Sequence, residues 1–414
     1  MDAKKVRNNS KASFVLFFIS PILGLLESFK SINQKSTQRF LMLFLAFYGF
    51  TVYVPATKDY IDLSVDSTYY RIHFENVSIK ETFGEYIHRF IRYLTFDIDE
   101  VGDVIKDYYL ETIGYVASFL GNNYHVMFMI AALVAGYYCI SSMRYLFKDT
   151  KYDYSVYYLC LLLVFLYNQP IQIHWLRFPT AAWIAVYSTF KIFFENKRKY
   201  WILAASTILI HGSFVSFILF LVLAKCTKKY EYIWVSIFFV SLFMSSVPSN
   251  FVENLADMLP GRLGMYLQYG TQETLDENSD LIEGRRTGNL VMLFGTLQNI
   301  FMNVLMFLII KNREKRNKDV DGMFAVTLII FTIVNMFSFI YEFSMRYRLI
   351  TYPLVIYLWL HMFGTEKKYK GLVYLIPVVF SYQMAYYAYL YMKTSGWSLI
   401  YPPIISVFIS MFDY

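Results

Sequence analysis

The chain has 414 residues, of which 57% are hydrophobic, 20% aromatic and only 17% charged. That is too little polar surface for a soluble fold, where charged residues run near a quarter. The net charge of +7 sits between apolar stretches and gives no reason to expect a nucleic-acid partner, so the chain reads as an all-α polytopic membrane protein, one integral membrane domain over 1–414.

Apolar stretches of about 17 residues or more suit helices that cross a hydrocarbon core of about 30 Å. In chain order the predicted spans cover about 13–29, 40–55, 124–143, 154–169, 178–194, 201–224, 231–249, 289–310, 322–342, 349–364 and 371–392. A shorter one covers 398–411, giving about 11–13 transmembrane helices. Lys4, Lys5, Arg7 and Lys11 precede the apolar run Ala12–Leu26 as in a signal peptide. Glu27-Ser28-Phe29-Lys30 follows instead of a small-residue cleavage site, which predicts a retained anchor. Cys139, Cys160 and Cys226 lack metal-like spacing and read as packing residues.

Basic residues in short loops mark the cytoplasmic side. Five clusters stand out: Arg144/Lys148/Lys151, Lys197/Arg198/Lys199, Lys225/Lys228/Lys229, Lys311 to Lys318, and Lys367/Lys368/Lys370. All five fall on one side only if 201–224 crosses in and back as two short pieces hinged at His211-Gly212-Ser213. Non-helical backbone at that depth is tolerated where protein or a watery cavity encloses it. Two long loops, about 56–110 and 250–288, then lie on the outer face. The first holds eleven Asp/Glu against six Lys/Arg, the second seven against three. Loops of such length are functional or disordered. In the first, "KETFGEYIHRFIRYL" sets Phe83, Tyr86, Phe90 and Tyr93 at helical spacing and predicts an amphipathic helix on the outer membrane face.

With this topology, polar residues converge on the outer side. Arg177 opens the span 178–194 with His174 one turn before it, and Pro179 suits a first helical turn. His211 caps the hairpin, Arg285 and Arg286 precede the span at 289, and Glu342, Arg346 and Arg348 follow the span 322–342. Asp59, Asp62 and Asp66 follow the span 40–55. Each has a bland alternative: an arginine at a helix end can snorkel to headgroups, and a lone histidine can bond a neighbouring helix. His73, His88, His125 and His361 are assigned structural roles. Asp97, Asp99 and Glu100 in "FDIDE" mimic an Asp-x-Asp pattern too short to carry a metal site.

Guanidinium groups match phosphate bidentately and stay charged at any relevant pH. The anion found at headgroup depth is that of a lipid-linked substrate. Aromatic outer loops suit a sugar, whose ring faces stack on Tyr and Trp. The candidate pyrophosphate ligands are Arg177, Arg346, Arg348, Arg285 and Arg286. Those for the glycan are Asp59, Tyr69, Tyr70, His174 and Glu342.

"VDSTYYRIHF", "IHWLRFPTAAWIA", "ILIHGSFVSFIL" and "MRYRLITYPLVIY" together resemble the ordered motifs of EpsG-type, Wzy-like polysaccharide polymerases over roughly 50–360. His174-Trp175-Leu176 before Arg177 and Pro179 after it depart from the family pattern. The resemblance implies a glycosyltransferase-C-like enzyme of a bacterial inner membrane. It would polymerise undecaprenyl-pyrophosphate-linked repeat units at the outer face, making O-antigen or capsule. Arg177 with one or both of Arg346 and Arg348 would hold pyrophosphate, and His211 or Asp66 would deprotonate or orient the acceptor hydroxyl. No cofactor or metal is expected, since arginines can supply the charge. The implied partners are the lipid-linked glycan donor and acceptor and membrane lipids, and the resemblance allows a chain-length regulator. A lipid-linked oligosaccharide flippase, an O-antigen ligase and a non-enzymatic scaffold are the competing readings. The first would show internal repeats, and none is present in the sequence.

Overall fold

The computed structural model describes residues 3–54, 65–94, 108–147, 164, 176–244, 285–316, 318–363 and 367–412. Among the described residues every regular element is helical and no strand occurs. The predicted span 154–169 and the loop 250–284 lie outside the described residues, except for Val164.

The N-terminal span is a hairpin, not one helix. α1 (Ala3–Ile19) and α2 (Pro21–Ser28) fold back on each other at Ser20, whose backbone is extended. Pro21 holds the first helical position, where a missing N–H costs nothing. A Cβ at Gly24 would lie 2.8 Å from the Ser13 carbonyl oxygen, so glycine is what lets the two helices approach. Hydropathy alone read the two pieces as one span because both are apolar.

α3 (Lys35–Phe50) packs along α7 (Tyr124–Leu146). A Cβ at Gly49 would sit 2.7 Å from the Phe128 carbonyl oxygen. α7, at 23 residues, is about 35 Å long at 1.5 Å per residue. Asn123 caps it by accepting a bond from the His125 N–H at 2.9 Å. α7 and the Leu293–Lys311 part of α12 (Arg285–Lys311) are long and apolar enough to cross a bilayer alone; the apolar stretches Tyr200–Ile210 and Val320–Met336 are shorter.

Between α3 and α7 the first long loop is itself helical where it is described. It contains α4 (Val65–His73, continued by a π turn to Ser78), α5 (Phe83–Leu94) and α6 (Tyr108–Ser118). The predicted amphipathic helix is α5. Part of its apolar face meets protein: Tyr86 stacks on Tyr115 at 4.3 Å and Phe90 contacts Tyr108 at 4.1 Å. Phe83 and Ile91 remain exposed.

α8 (Arg177–Thr189, continued by a π turn to Phe194) is buried at every residue from Phe178 to Val186. A helix apolar on all sides belongs in the centre of its bundle, and α8 touches α7, α9 (Tyr200–Ile210) and α14 (Tyr341–Phe363). Pro179 falls in its first turn, among N–H positions that have no intrahelical acceptor.

α9 ends at Ile210 and α10 (Phe214–Thr227) begins after His211-Gly212-Ser213, the predicted hinge. At the hinge, Phe178 of α8 lies 5.3 Å from the His211 ring and 5.0 Å from Phe214. At the far end Phe193 lies 6.5 Å from the Trp201 ring and 5.9 Å from Lys225 Nζ. The chain therefore runs the length of α8 and returns, with both legs short.

α11 (Glu231–Ser241) and α13 (Lys318–Met336) pack together, and α13 lies against α14. The predicted span 349–364 is longer than expected, since α14 already begins at Tyr341. The predicted span 371–392 is interrupted at Phe380 between α15 (Lys370–Val379) and α16 (Ser381–Ser395), and α17 (Pro403–Phe412) follows. Opposite the hinge, one end of the bundle gathers described members of the basic clusters. Lys197 pairs with Glu195 at 2.6 Å. Arg316 makes two bonds to Glu231 at 2.9 and 3.0 Å. The Tyr369 hydroxyl donates to Asn312 Oδ1 at 3.3 Å, joining the last two clusters.

Candidate functional site

Three separate elements meet at the hinge end. Arg177 is the first residue of α8 and donates from Nε to the Tyr70 hydroxyl at 3.2 Å, with its guanidinium carbon 5.7 Å from the centre of that ring. Tyr70 is buried in α4, so a loop helix positions the arginine. Behind Arg177 the N–H groups of the first turn add partial positive charge. His211 extends from the hinge, and the positive charges that act on its ring are those of Arg177 and Arg346. Residues more than 30 positions apart in sequence are thus brought together at the hinge end.

An aromatic floor fixes these groups. Phe178, Phe214, Phe220 and Phe343 surround Tyr347 at centroid distances of 6.0, 6.1, 5.7 and 4.4 Å. Such contacts contribute about 0.5–1.5 kcal/mol each beyond area burial. The Tyr347 hydroxyl donates to the Ser213 carbonyl at 2.8 Å and lies 2.6 Å from Ser216 Oγ. Because Tyr347 follows Arg346 directly, these bonds set α14 against the hinge.

Arg346 and Arg348 are not equivalent. Two residues apart on a helix they point to different faces, and Arg348 shares its face with Tyr352, which packs on Phe380 at 6.0 Å. The Arg348 charge acts on Tyr352. Its Nε is buried without a hydrogen-bond partner among the described residues.

Residues 43–402 match the EpsG family, most of the chain. The chain belongs to the EpsG family. This family is related to the Wzy-like polysaccharide polymerases, which places this membrane protein in polysaccharide biosynthesis. No curated protein and no solved structure gives a significant match.

Other predicted site residues of this EpsG-family chain stand apart or lie outside the described residues. Tyr69 is exposed and stacks on His73 at 5.8 Å beside Tyr70. Asp66 lies in the first turn of α4, Arg285 and Arg286 open α12 and Glu342 lies in the first turn of α14, but their side chains lie outside the described residues. Asp59, Asp62, His174 and the Asp97–Glu100 motif lie wholly outside them.

Sequence reasoning passed over the ionic network beneath the site. Arg71, next to Tyr70, donates from Nη1 to the Val54 carbonyl at 2.5 Å and from Nε to Glu75 at 2.7 Å. Its guanidinium lies 4.1 Å over the Tyr124 ring. Its charge is thus engaged in holding α4 to the end of α3 and to α7. His73 Nε2 lies 2.9 Å from Glu111, which also accepts from Arg89 at 3.1 Å, and Arg89 pairs with Glu81 at 2.6 Å. Tyr109 of α6 donates to Thr180 Oγ1 at 3.4 Å, joining this loop to α8. The one sequence signal was a run of charged residues at helical spacing in an acidic loop.

Proposed function

We propose that the protein is a glycosyltransferase-C-like, Wzy-type polymerase of the bacterial inner membrane, with about 11–13 spans. It joins undecaprenyl-pyrophosphate-linked repeat units at the outer face. The reading rests on one observation above all: Arg177 opens α8 next to Phe178, which packs on the His211 ring, and Tyr347, the neighbour of Arg346, bonds the same hinge, at the end of the bundle away from the lysine clusters. A guanidinium at a helix start suits an anion, because the first-turn N–H groups add partial positive charge to its own and point at the same place. Loops 56–110 and 250–288 face outward in this arrangement.

The donor's anomeric carbon is attacked by the hydroxyl at the non-reducing end of the acceptor. The bond from that carbon to pyrophosphate breaks, and its electron pair leaves on the pyrophosphate. Arg177 and Arg346 offset the growing negative charge, as preorganised cations do for such leaving groups. Arg348, Arg285 and Arg286 are further candidates for the phosphates or neighbouring headgroups. Tyr69, with Asp59, His174 and Glu342, offers surfaces for the glycan. Asp66 or His211 handles the acceptor's proton.

The test is reaction of the purified protein with candidate lipid-pyrophosphate repeat units, product length being the readout. Polymer on the carrier lipid supports the proposal, and transfer to lipid A-core makes the protein a ligase. Failure with every donor, in a preparation shown to be folded, sinks it. In cells, Arg177→Ala should stop elongation while single units still reach the outer face; their build-up on the inner leaflet would mean transport.

A further inference from the structure

His211 carries more information than its place at the hinge. Its Nδ1 lies 2.7 Å from Ser213 Oγ, and the Ser213 backbone N–H donates to the same nitrogen at 3.4 Å. A peptide N–H has no other role to take: it can only donate. Nδ1 therefore presents a lone pair, and a hydrogen on it would meet the peptide hydrogen head on. The second nitrogen then holds the proton of the neutral ring. A doubly protonated ring would lose the bond from the Ser213 N–H and add a third positive charge beside Arg177 and Arg346. Phe178 meets the ring edge-on at 5.3 Å and 84°, restricting its rotation.

We infer that His211 serves as a hydrogen-bond donor through Nε2–H, with Ser213 as the residue that sets its tautomer. The inference rests on the polymerase reading above and settles one choice within it. A ring whose outward nitrogen already bears a proton cannot take the acceptor's proton there. It can donate to an oxygen that gains charge, and the oxygen drawn to a site of two guanidinium groups is a phosphate oxygen of the leaving pyrophosphate. The proton of the acceptor hydroxyl then passes to another base, for which Asp66 is the candidate, and from it to water. His211 keeps its proton throughout, so the transfer balances without it. The sequence His-Gly-Ser suits this role. The turn at Gly212 brings the N–H two residues on back to the imidazole, as in an Asx turn it comes back to the Asx side chain.

The tautomer can be measured without any substrate, so this inference can fail while the polymerase reading stands. In protein labelled with 15N-histidine, the His211 resonances are those lost in both His211→Gln and His211→Asn. They should show the Nε2–H pair of shifts at neutral pH, and Ser213→Pro, which removes the peptide N–H at a φ of −63° that proline accepts, should move them toward a mixture of tautomers. Shifts of the Nδ1–H tautomer, or of imidazolium, would overturn the assignment. Elongation gives the second arm. The amide of His211→Gln reaches the place of Nε2 and should keep the rate within about tenfold, whereas that of His211→Asn reaches only the place of Nδ1. The Asn variant should lose about 10²–10³, the usual effect of one such donor. Equal loss in both, with unchanged melting, would mean that the ring acts as a base.

Discussion

The Tyr347 hydroxyl donates to the Ser213 carbonyl at 2.8 Å, so the residue next to Arg346 grips the hinge that presents His211. Two elements of the site, over 130 residues apart in sequence, are held in register by one phenol. Tyr347→Phe keeps the stacked ring on Phe343 but leaves the Ser213 carbonyl and Ser216 Oγ without that partner. The loss of stability should be small, about 1 kcal/mol. Elongation should fall about tenfold, since a site held 1 Å too loosely loses more rate than stability. Initial rates beside melting curves in detergent would show this split, and an unchanged rate would remove Tyr347 from the site.

Arg177 and Tyr70 should respond in a graded order. Arg177→Lys keeps a positive charge but loses the planar fork and the Nε bond to Tyr70. Elongation should drop about a hundredfold, close to the effect of Arg177→Ala. Tyr70→Phe keeps the ring face beside the guanidinium and removes only its acceptor, so a loss of about three- to tenfold is expected. If lysine restored full activity, charge alone would suffice and bidentate phosphate binding would be wrong. The measurement is polymer length and rate with purified protein.

The other end of the bundle supplies a pH-dependent prediction. Burial alone would raise the Glu195 carboxyl, but bonds from Lys191, Lys197 and Tyr145 outweigh it and bring its pKa from the usual 4.5 down to about 2. A carboxylate lowered on folding stabilises the fold fully above pH 4.5. That contribution fades as pH falls from about 4.5 to about 2. Glu195→Gln should therefore melt earlier than the parent at pH 7, with the gap narrowing as the pH is lowered toward 3. A constant gap between pH 7 and 3 would show that the ion pairs contribute nothing.

The hinge was legible because charge bookkeeping needs no knowledge of packing. Five lysine-rich clusters can share one side only if 201–224 turns back, and the break falls at His211-Gly212-Ser213. The reversal at Ser20 was not legible, because an apolar hairpin and an apolar helix have the same hydropathy. Periodicity likewise found α5, yet the pattern is identical whether Tyr86 and Phe90 meet lipid or, as here, Tyr115 and Tyr108. Arg346 and Arg348 looked like a pair while they were placed in a loop. Once α14 starts at Tyr341, helical geometry separates them. The ionic network of the first long loop was hidden for another reason: its partners, His73, Arg89 and Glu111, come from three helices whose docking is tertiary.

That network carries the last prediction. Glu111 is a buried carboxylate that faces His73 and Arg89 together. Removing it by Glu111→Ala takes one of two carboxylates from Arg89, which keeps Glu81, a loss of about 2 kcal/mol. Because α5 and α6 meet through Arg89 and the Tyr86–Tyr115 stack, the effect should be local, appearing as faster amide exchange in α5 before global melting. Glu111→Gln retains an acceptor for Arg89 and should cost less. Since α4 carries both His73 and Tyr70, loosening the network also frees the residue that orients Arg177. Elongation should therefore fall in Glu111→Ala while the His211 tautomer, set locally by Ser213, stays as it was. Exchange in α5 no faster than in the parent would show that the aromatic stack, not the ion pairs, docks the loop.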